Sequence, residues 1–244
     1  MPTADDYRTA FVLESRNVYP CVDQFEQASG YALERSKLEA AARVLACPVK
    51  KNPPCWQHGR ILYAATRMRL HGLAGPVNLF EVGTAKAFGS LCLLWAMLDS
   101  HHSGTVTSVD VIDPAARIKR NTVAELDGLK TLAETIQAAG FLMESVSIDF
   151  QQSTGIDYLN AHEERIHVAF VDGKHSGSVV SQEGWLLSRR QETGDMVLFD
   201  DVQMRDVAKA VDGMSSAYDL VDRFELIPPR VGNDGRALML AVRK

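Results

Sequence analysis

The spacing of apolar and polar residues along the chain changes character near residue 55. Tyr31 to Leu45 is rich in strong helix formers, and the segment behind it places Pro48, Pro53 and Pro54 within eight residues, which no helix or central strand tolerates. Residues 1–55 are therefore expected to form a helical extension ended by a linker, and residues 56–244 a domain of their own. From Trp56 onward the periods alternate. A helix with Ile61, Leu62, Ala65 and Met68 on one face precedes an apolar strand at Val77–Val82, and a helix at Gly89–Leu98 precedes a strand at Thr105–Val111. The cycle continues with a helix at Val123–Ala139, a strand at Met143–Ile148, a short helix near Ile156–Asn160, a strand at His167–Asp172, a helix at Val179–Arg189 and a strand at Met196–Asp200. After a helix at Val207–Ala217, the strands Phe224–Ile227 and Ala237–Val242 are joined by a segment carrying the Asn233-Asp234-Gly235 turn signal. That segment is too short for a crossover helix, so the two strands should pair antiparallel. The expected fold is α/β: a doubly wound, mostly parallel seven-stranded sheet of Rossmann-like type with an antiparallel end.

Composition narrows the picture. With 46% hydrophobic and 23% charged residues, 244 residues suffice for one large globular core. A net charge of −5 gives no electrostatic reason to expect nucleic acid or an anionic membrane as partner. The first residues lack a basic head and apolar run, and no stretch approaches the roughly 18 apolar residues of a membrane helix, so a cytoplasmic protein is expected. Cys21, Cys47, Cys55 and Cys92 show neither CxxC spacing nor a paired framework, which predicts structural thiols.

In open parallel sheets, ligands bind beyond the carboxyl ends of the strands. The first strand exits through Glu81 and Gly83 toward Gly89, where a helix begins, and such a turn lets a ligand approach backbone N–H groups. Asp110 follows Glu81 by 29 residues at the end of the second strand, placed to accept hydrogen bonds from ribose hydroxyls. The two features together point to a nucleoside cofactor. Farther along, one strand ends in Asp172 and the next, 28 residues later, in Asp200 and Asp201. On adjacent parallel strands these carboxylates would converge and offer the hard oxygen ligands preferred by Mg²⁺ or another divalent cation. The simpler alternative is that Asp200 or Asp201 caps the next helix. His175, three residues after Asp172, is a candidate proton acceptor, since an imidazole titrates near neutrality; Lys174 is its rival. Trp56, Gln57 and His58 precede the first core helix, where packing is the default expectation and closing over the cofactor the alternative.

These residues resemble the metal-dependent O-methyltransferases among the class I S-adenosylmethionine-dependent methyltransferases, the group that includes catechol and caffeoyl-CoA methyltransferases and bacterial relatives. The resemblance spans roughly Trp56 to Lys244 and rests on the stretches FEVGTAKAFGSLCL, TSVDVID, FVDGKH and LFDDV. It implies that Glu81, Gly83, Thr84, Gly89 and Ser90 surround the methionine end of S-adenosyl-L-methionine and that Asp110 holds its ribose. Gln152 and Ser153 would border the adenine, with Asp172 also at this edge. It further implies that Asp172, Asp200 and Asp201 bind Mg²⁺, and it puts His175 where the family often has a lysine base. Two departures stand out: Ala87 occupies a position the family usually gives to glycine, and Asp201 one that is often asparagine.

The expected activity is metal-assisted methyl transfer to a hydroxyl of a small-molecule acceptor, with His175 or Lys174 taking the proton and a homodimer as the default assembly. The alternatives are a metal-independent methyltransferase, in which the aspartates are structural, and a non-catalytic nucleoside-binding module of the same fold. A dehydrogenase is disfavoured because the first turn lacks a clean GxGxxG.

Overall fold

The computed structural model describes residues 2–49, 53–142, 148–228 and 235–244. Three helices come first: α1 (Ala4–Ser15), α2 (Pro20–Ser29) and α3 (Arg35–Leu45). Their ends follow local chemistry. Thr3 and Asp6 form a capping box at the start of α1, Pro20 opens α2 where a missing N–H costs nothing, and Gly30 closes α2 at a left-handed φ of 75°.

The alternating part follows as α4 (His58–Leu70), β1 (Val77–Val82), α5 (Phe88–Asp99), β2 (Gly104–Asp110), α6 (Leu132–Ala138), β3 (Ile148–Gln152), α7 (Gly155–Ala161), β4 (Val168–Val171), α8 (Gly177–Ser188), β5 (Met196–Phe199), α9 (Arg205–Asp212), β6 (Tyr218–Ile227) and β7 (Arg236–Arg243). The seven strands form one sheet in the order β3-β2-β1-β4-β5-β7-β6. β1 pairs in parallel with β2 and β4, and β5 pairs in parallel with β4 and antiparallel with β7. The chain therefore leaves β1 toward one edge and resumes at β4 toward the other, which makes the β1/β4 boundary the switch point where a crevice opens.

Each central strand divides its side chains between two cores. Leu79, Phe170 and Leu198 face α4, α5 and the N-terminal helices, while Phe80, Val171 and Phe199 face the layer of α7, α8 and α9. This two-fold alternation, with both faces apolar, is what a doubly covered sheet demands. The N-terminal helices join the first core through Val22, Phe25, Leu38 and Leu45. Arg60 on α4, fully buried, reinforces the contact by bonding Glu26 and Asp23 of α2 and Gln57.

Several sequence-based expectations need correction. The helix expected over Val123–Ala139 is a short 3-10 turn at Val123–Asp127, a break at Gly128 with φ 120°, and then α6. Periodicity did not register the Ile118–Lys130 bridge that draws the chain away from helical geometry. Met68 lies on the outer side of α4 and is exposed. α9 stops at Asp212, short of Ala217, and β6 begins at Tyr218, well before Phe224. Of the strand expected at Met143–Ile148, only Ile148 falls among the described residues, where it opens β3; Asn233 and Asp234 also lie outside them. All four cysteines are free, and burial pushes the Cys55 thiol up to about 11.

Candidate functional site

Beyond the end of β1 the backbone turns sharply. Gly83 has φ 95°, and an added Cβ would overlap the Asp172 carbonyl oxygen at the end of β4, so glycine is required where the two strand exits touch. Gly89, in the first turn of α5, leaves room for the Glu81 carboxyl group, which an added Cβ would also overlap. Glu81 is buried and receives hydrogen bonds from Ser90 Oγ and, at 2.6 Å, from Ser108 Oγ; Thr84 Oγ1 lies 2.7 Å from Ser108 Oγ. Burial pushes the Glu81 carboxyl up to about 7 against the opposing effect of the two serine hydroxyls. This network locks α5 to β1 and β2, and Ser90 is buried within it. Ala87, at the position the resembled family usually gives to glycine, adopts a left-handed φ of 65° as the N-cap of α5 and is itself buried. The loop thus keeps a left-handed turn without glycine, at a cost in backbone strain.

Asp110 closes β2 beside this loop. Its Oδ2 accepts the Ala85 N–H and its Oδ1 the Ile112 N–H, both at 3.0 Å, at a half-buried position. Gln152 ends β3 and Ser153 follows it; the Ser153 N–H donates to the Asp110 carbonyl at 2.9 Å.

At the neighbouring exits of β4 and β5 the three expected aspartates do converge. Neither Asp200 nor Asp201 caps α9, whose N-cap is Met204 with no side-chain cap. Asp201 takes a left-handed φ of 55° and accepts a hydrogen bond from Gln203 Nε2 at 2.8 Å, and its Oδ2 lies 3.1 Å from His175 Nδ1. His175 Nε2 is 4.0 Å from Asp172 Oδ1, beyond hydrogen-bonding distance.

The partner of the aspartate pair is Arg236, the first residue of β7. Its Nε and Nη2 both bond the Asp200 carboxylate, Nη2 also lies 3.7 Å from Asp172 Oδ2, and Nη1 donates to the Cys55 carbonyl at 3.1 Å. Burial works against a charged Asp200, but the guanidinium outweighs it and holds that carboxyl below its ordinary range; burial and the Asp200 charge push Asp172 upward. Three carboxylates would suit a divalent cation in oxygen chemistry. Here, however, the fixed guanidinium already sits among them, and among the described residues no group of three or more His, Cys, Asp or Glu side chains is arranged to hold a metal. The expected Mg²⁺ site does not fit this arrangement.

A cavity of about 250 Å³ joins the two halves of the site. Its lining includes Glu81, Gly83, Thr84, Gly89, Asp172, His175, Asp200 and Asp201 of the expected residues, and Ser90, Asp110, Gln152, Ser153 and Lys174 stand outside it. Sequence reasoning missed several contributors, Arg236, Lys86, Pro48 and Pro53 among them. Arg236 comes from the antiparallel hairpin, Lys86 from the first loop, and Pro48 and Pro53 from the segment taken for a linker. His58, for which closing over the cofactor was the alternative to packing, lines the cavity, set edge-on to Phe88 and stacked on Phe170 at centroid distances of 5.2 and 6.0 Å. Its buried Nδ1 has no hydrogen-bond partner, and burial, aided by Arg236, lowers its pKa to about 3.

No protein-family model and no curated protein matches the sequence. Among solved structures, the chain is similar to the O-methyltransferase from Bacillus cereus in complex with SAH, with 12% identity, a TM-score of 0.52, and coverage of 97% of this chain and 100% of that one. A proposed O-methyltransferase from Klebsiella pneumoniae gives 13% identity and a TM-score of 0.53, covering 99% and 97% of the two chains. An rRNA methylase from Streptococcus thermophilus, at 11% identity and a TM-score of 0.52, covers 75% of this chain and 95% of its own. The fold is the Rossmann-like methyltransferase fold. Because these proteins include O-methyltransferases and an rRNA methylase, the fold alone does not select an acceptor.

Proposed function

We propose that this chain transfers a methyl group from S-adenosylmethionine to a hydroxyl of a small acceptor, with no divalent metal taking part in the transfer. The observation that carries this reading is the cavity at the sheet's switch point, bounded on one side by the Thr84–Lys86 loop and on the other by His175 with Asp201 behind it. The donor fits the residues present. A carboxylate has about four lone-pair positions, and Asp110 spends only two on backbone amides, so it retains acceptors for a ribose diol; Gln152 and Ser153 adjoin it for the base. When bound, S-adenosylmethionine supplies an electrophilic methyl group on a sulfonium centre.

The protein's part is positional. Leu45, Pro48, Pro53, Pro54 and Ile227 wall the cavity with apolar surface and limit water there. The Asp201 carboxylate, 3.1 Å from His175 Nδ1, favours the tautomer with its proton on that nitrogen, and Nε2 is then the lone pair that takes the acceptor's proton. Lys174, exposed and outside the cavity, is the weaker choice. Orienting two reactants in one cavity supplies most of the acceleration, since effective molarities of about 10⁵ M are attainable.

The test is calorimetric titration of S-adenosylmethionine into the protein with and without EDTA, followed by labelled methyl transfer to a panel of hydroxyl compounds. Saturable donor binding and EDTA-insensitive transfer are expected, with His175→Gln slowing transfer by about 10²-fold or more while donor affinity holds. Absence of donor binding overturns the assignment, and loss of transfer in EDTA overturns its metal-free form.

A further inference from the structure

We infer that Arg236 is a built-in replacement for a divalent cation, and that removing its guanidinium turns the ends of β4 and β5 into a metal-binding site. The inference relies on the preceding reading only for the location of the acceptor, and its test measures a cation rather than turnover.

The argument begins with where the positive charge lies. A metal serving Asp172, Asp200 and Asp201 would sit between the two strand exits, within about 2.0–2.6 Å of carboxylate oxygens. That space holds Arg236 Nη2, bonded to Asp200 and 3.7 Å from Asp172. The guanidinium is not a swinging surface group. Its side chain is only 20% exposed, both Nε and Nη2 engage one carboxylate, and Nη1 is fixed by the Cys55 carbonyl. The backbone fixes the side chain's origin as well, because Val202 N–H bonds the Ala237 carbonyl at 3.0 Å and continues the β5/β7 pairing to the residue after Arg236. An entering cation would have to break these bonds or share the space with a like charge.

The substitution changes what the site can do. A metal with open coordination positions binds acceptor oxygens directly and acidifies them. A guanidinium committed to Asp200 and Cys55 neutralises the carboxylates without taking the acceptor oxygen, and proton removal falls to His175. Arg236 is thus a positioning residue: it keeps Asp172 and Asp200 together and ties the Cys55 segment over them.

Mn²⁺ alone, titrated calorimetrically into the full chain, tests this. The wild type is expected to show no saturable binding below about 1 mM, whereas Arg236→Ala, or Arg236→Met if the smaller residue impairs folding, gains one site at least about tenfold tighter that Asp200→Asn then abolishes. One-site binding by the wild type that Asp200→Asn removes overturns the inference, as does a folded Arg236 variant that gains no site. Should neither variant fold, the wild-type titration decides by itself, absence of binding supporting the inference and one-site binding overturning it.

Discussion

A carboxyl group with almost none of its surface open to water is held where the protonated form is favoured, even with two serine hydroxyls donating to it, and this is the situation of Glu81. Its pKa is raised in the fold to about 7 from 4.5, so the folded chain binds more protons than the unfolded one between those values. Stability from this group is fully present below about pH 4.5, falls as pH rises through the window, and levels off above 7, a change of about 3 kcal/mol. Glu81→Gln keeps the hydrogen bonds without the titration. Urea unfolding at pH 5 and pH 8 should therefore show a smaller pH-dependent loss in the variant than in the wild type. Glu183, which burial likewise pushes up to about 7, retains its share of the slope in both. Equal slopes would mean that Glu81 is not the titrating group. At this scale the sequence was informative about position and less so about partners. Glu81, Asp110, Asp172, Asp200 and Asp201 all lie at strand ends because alternation with helices reveals where strands stop. The partner of Asp200 was invisible to that reasoning, since Arg236 is 36 residues away and belongs to a strand running the other way. The one available signal was topological: an antiparallel last strand begins where its parallel neighbour ends, so its first basic residue lies beside the aspartates.

Among elements, the contact of α2 with α4 is the one most exposed to a single change. Arg60 emerges from α4 into the first core and is kept charged there by Glu26 and Asp23 on α2. Removing one partner of a buried ion pair costs about 3–5 kcal/mol, and because Asp23 is 45% exposed the lower part of that range applies. Arg60→Met, which keeps the apolar stem, should lower the urea-unfolding free energy by about 2–3 kcal/mol and hasten proteolytic cutting near α2. A loss below about 0.5 kcal/mol, within the range of an ordinary surface change, would show that packing alone docks α2. The central elements were readable from sequence because apolar strands and helices differ in period, and β1 spans the expected Val77–Val82. The region between β2 and α6 was not. Its apolar spacing imitates a helix, while Gly128 and the Ile118–Lys130 bridge, which join residues distant in sequence, decide its path.

At the scale of the molecule, the composition of residues 1–55 suggested an appendage, and their packing bears on whether it is one. Leu38, Ala41, Ala42 and Leu45 of α3 are fully or almost fully buried in the same core as Ile61, Leu62, Leu91 and Trp95. Trp56 is stacked on Phe11 of α1 with ring centroids 5.1 Å apart, and Tyr7 Oη donates to Asn121 Oδ1 at 2.8 Å, joining α1 to the segment after β2. Leu45, Ala46, Pro48, Pro53, Pro54 and Cys55 also wall the candidate site, and the Cys55 carbonyl anchors Arg236. A chain begun at Trp56 would uncover much of the first core and release the guanidinium from one of its three attachments. Burial of apolar surface is the main favourable term in folding, and a domain's net stability is only about 5–15 kcal/mol, so a loss of this extent exceeds what the remainder can absorb. Residues 56–244 alone should therefore show no cooperative melt by calorimetry and no fixed near-ultraviolet dichroism, although the full chain shows both. A cooperative transition within about 5 °C of the full chain's, with donor binding retained, would instead make the first 55 residues a separable cover over the site.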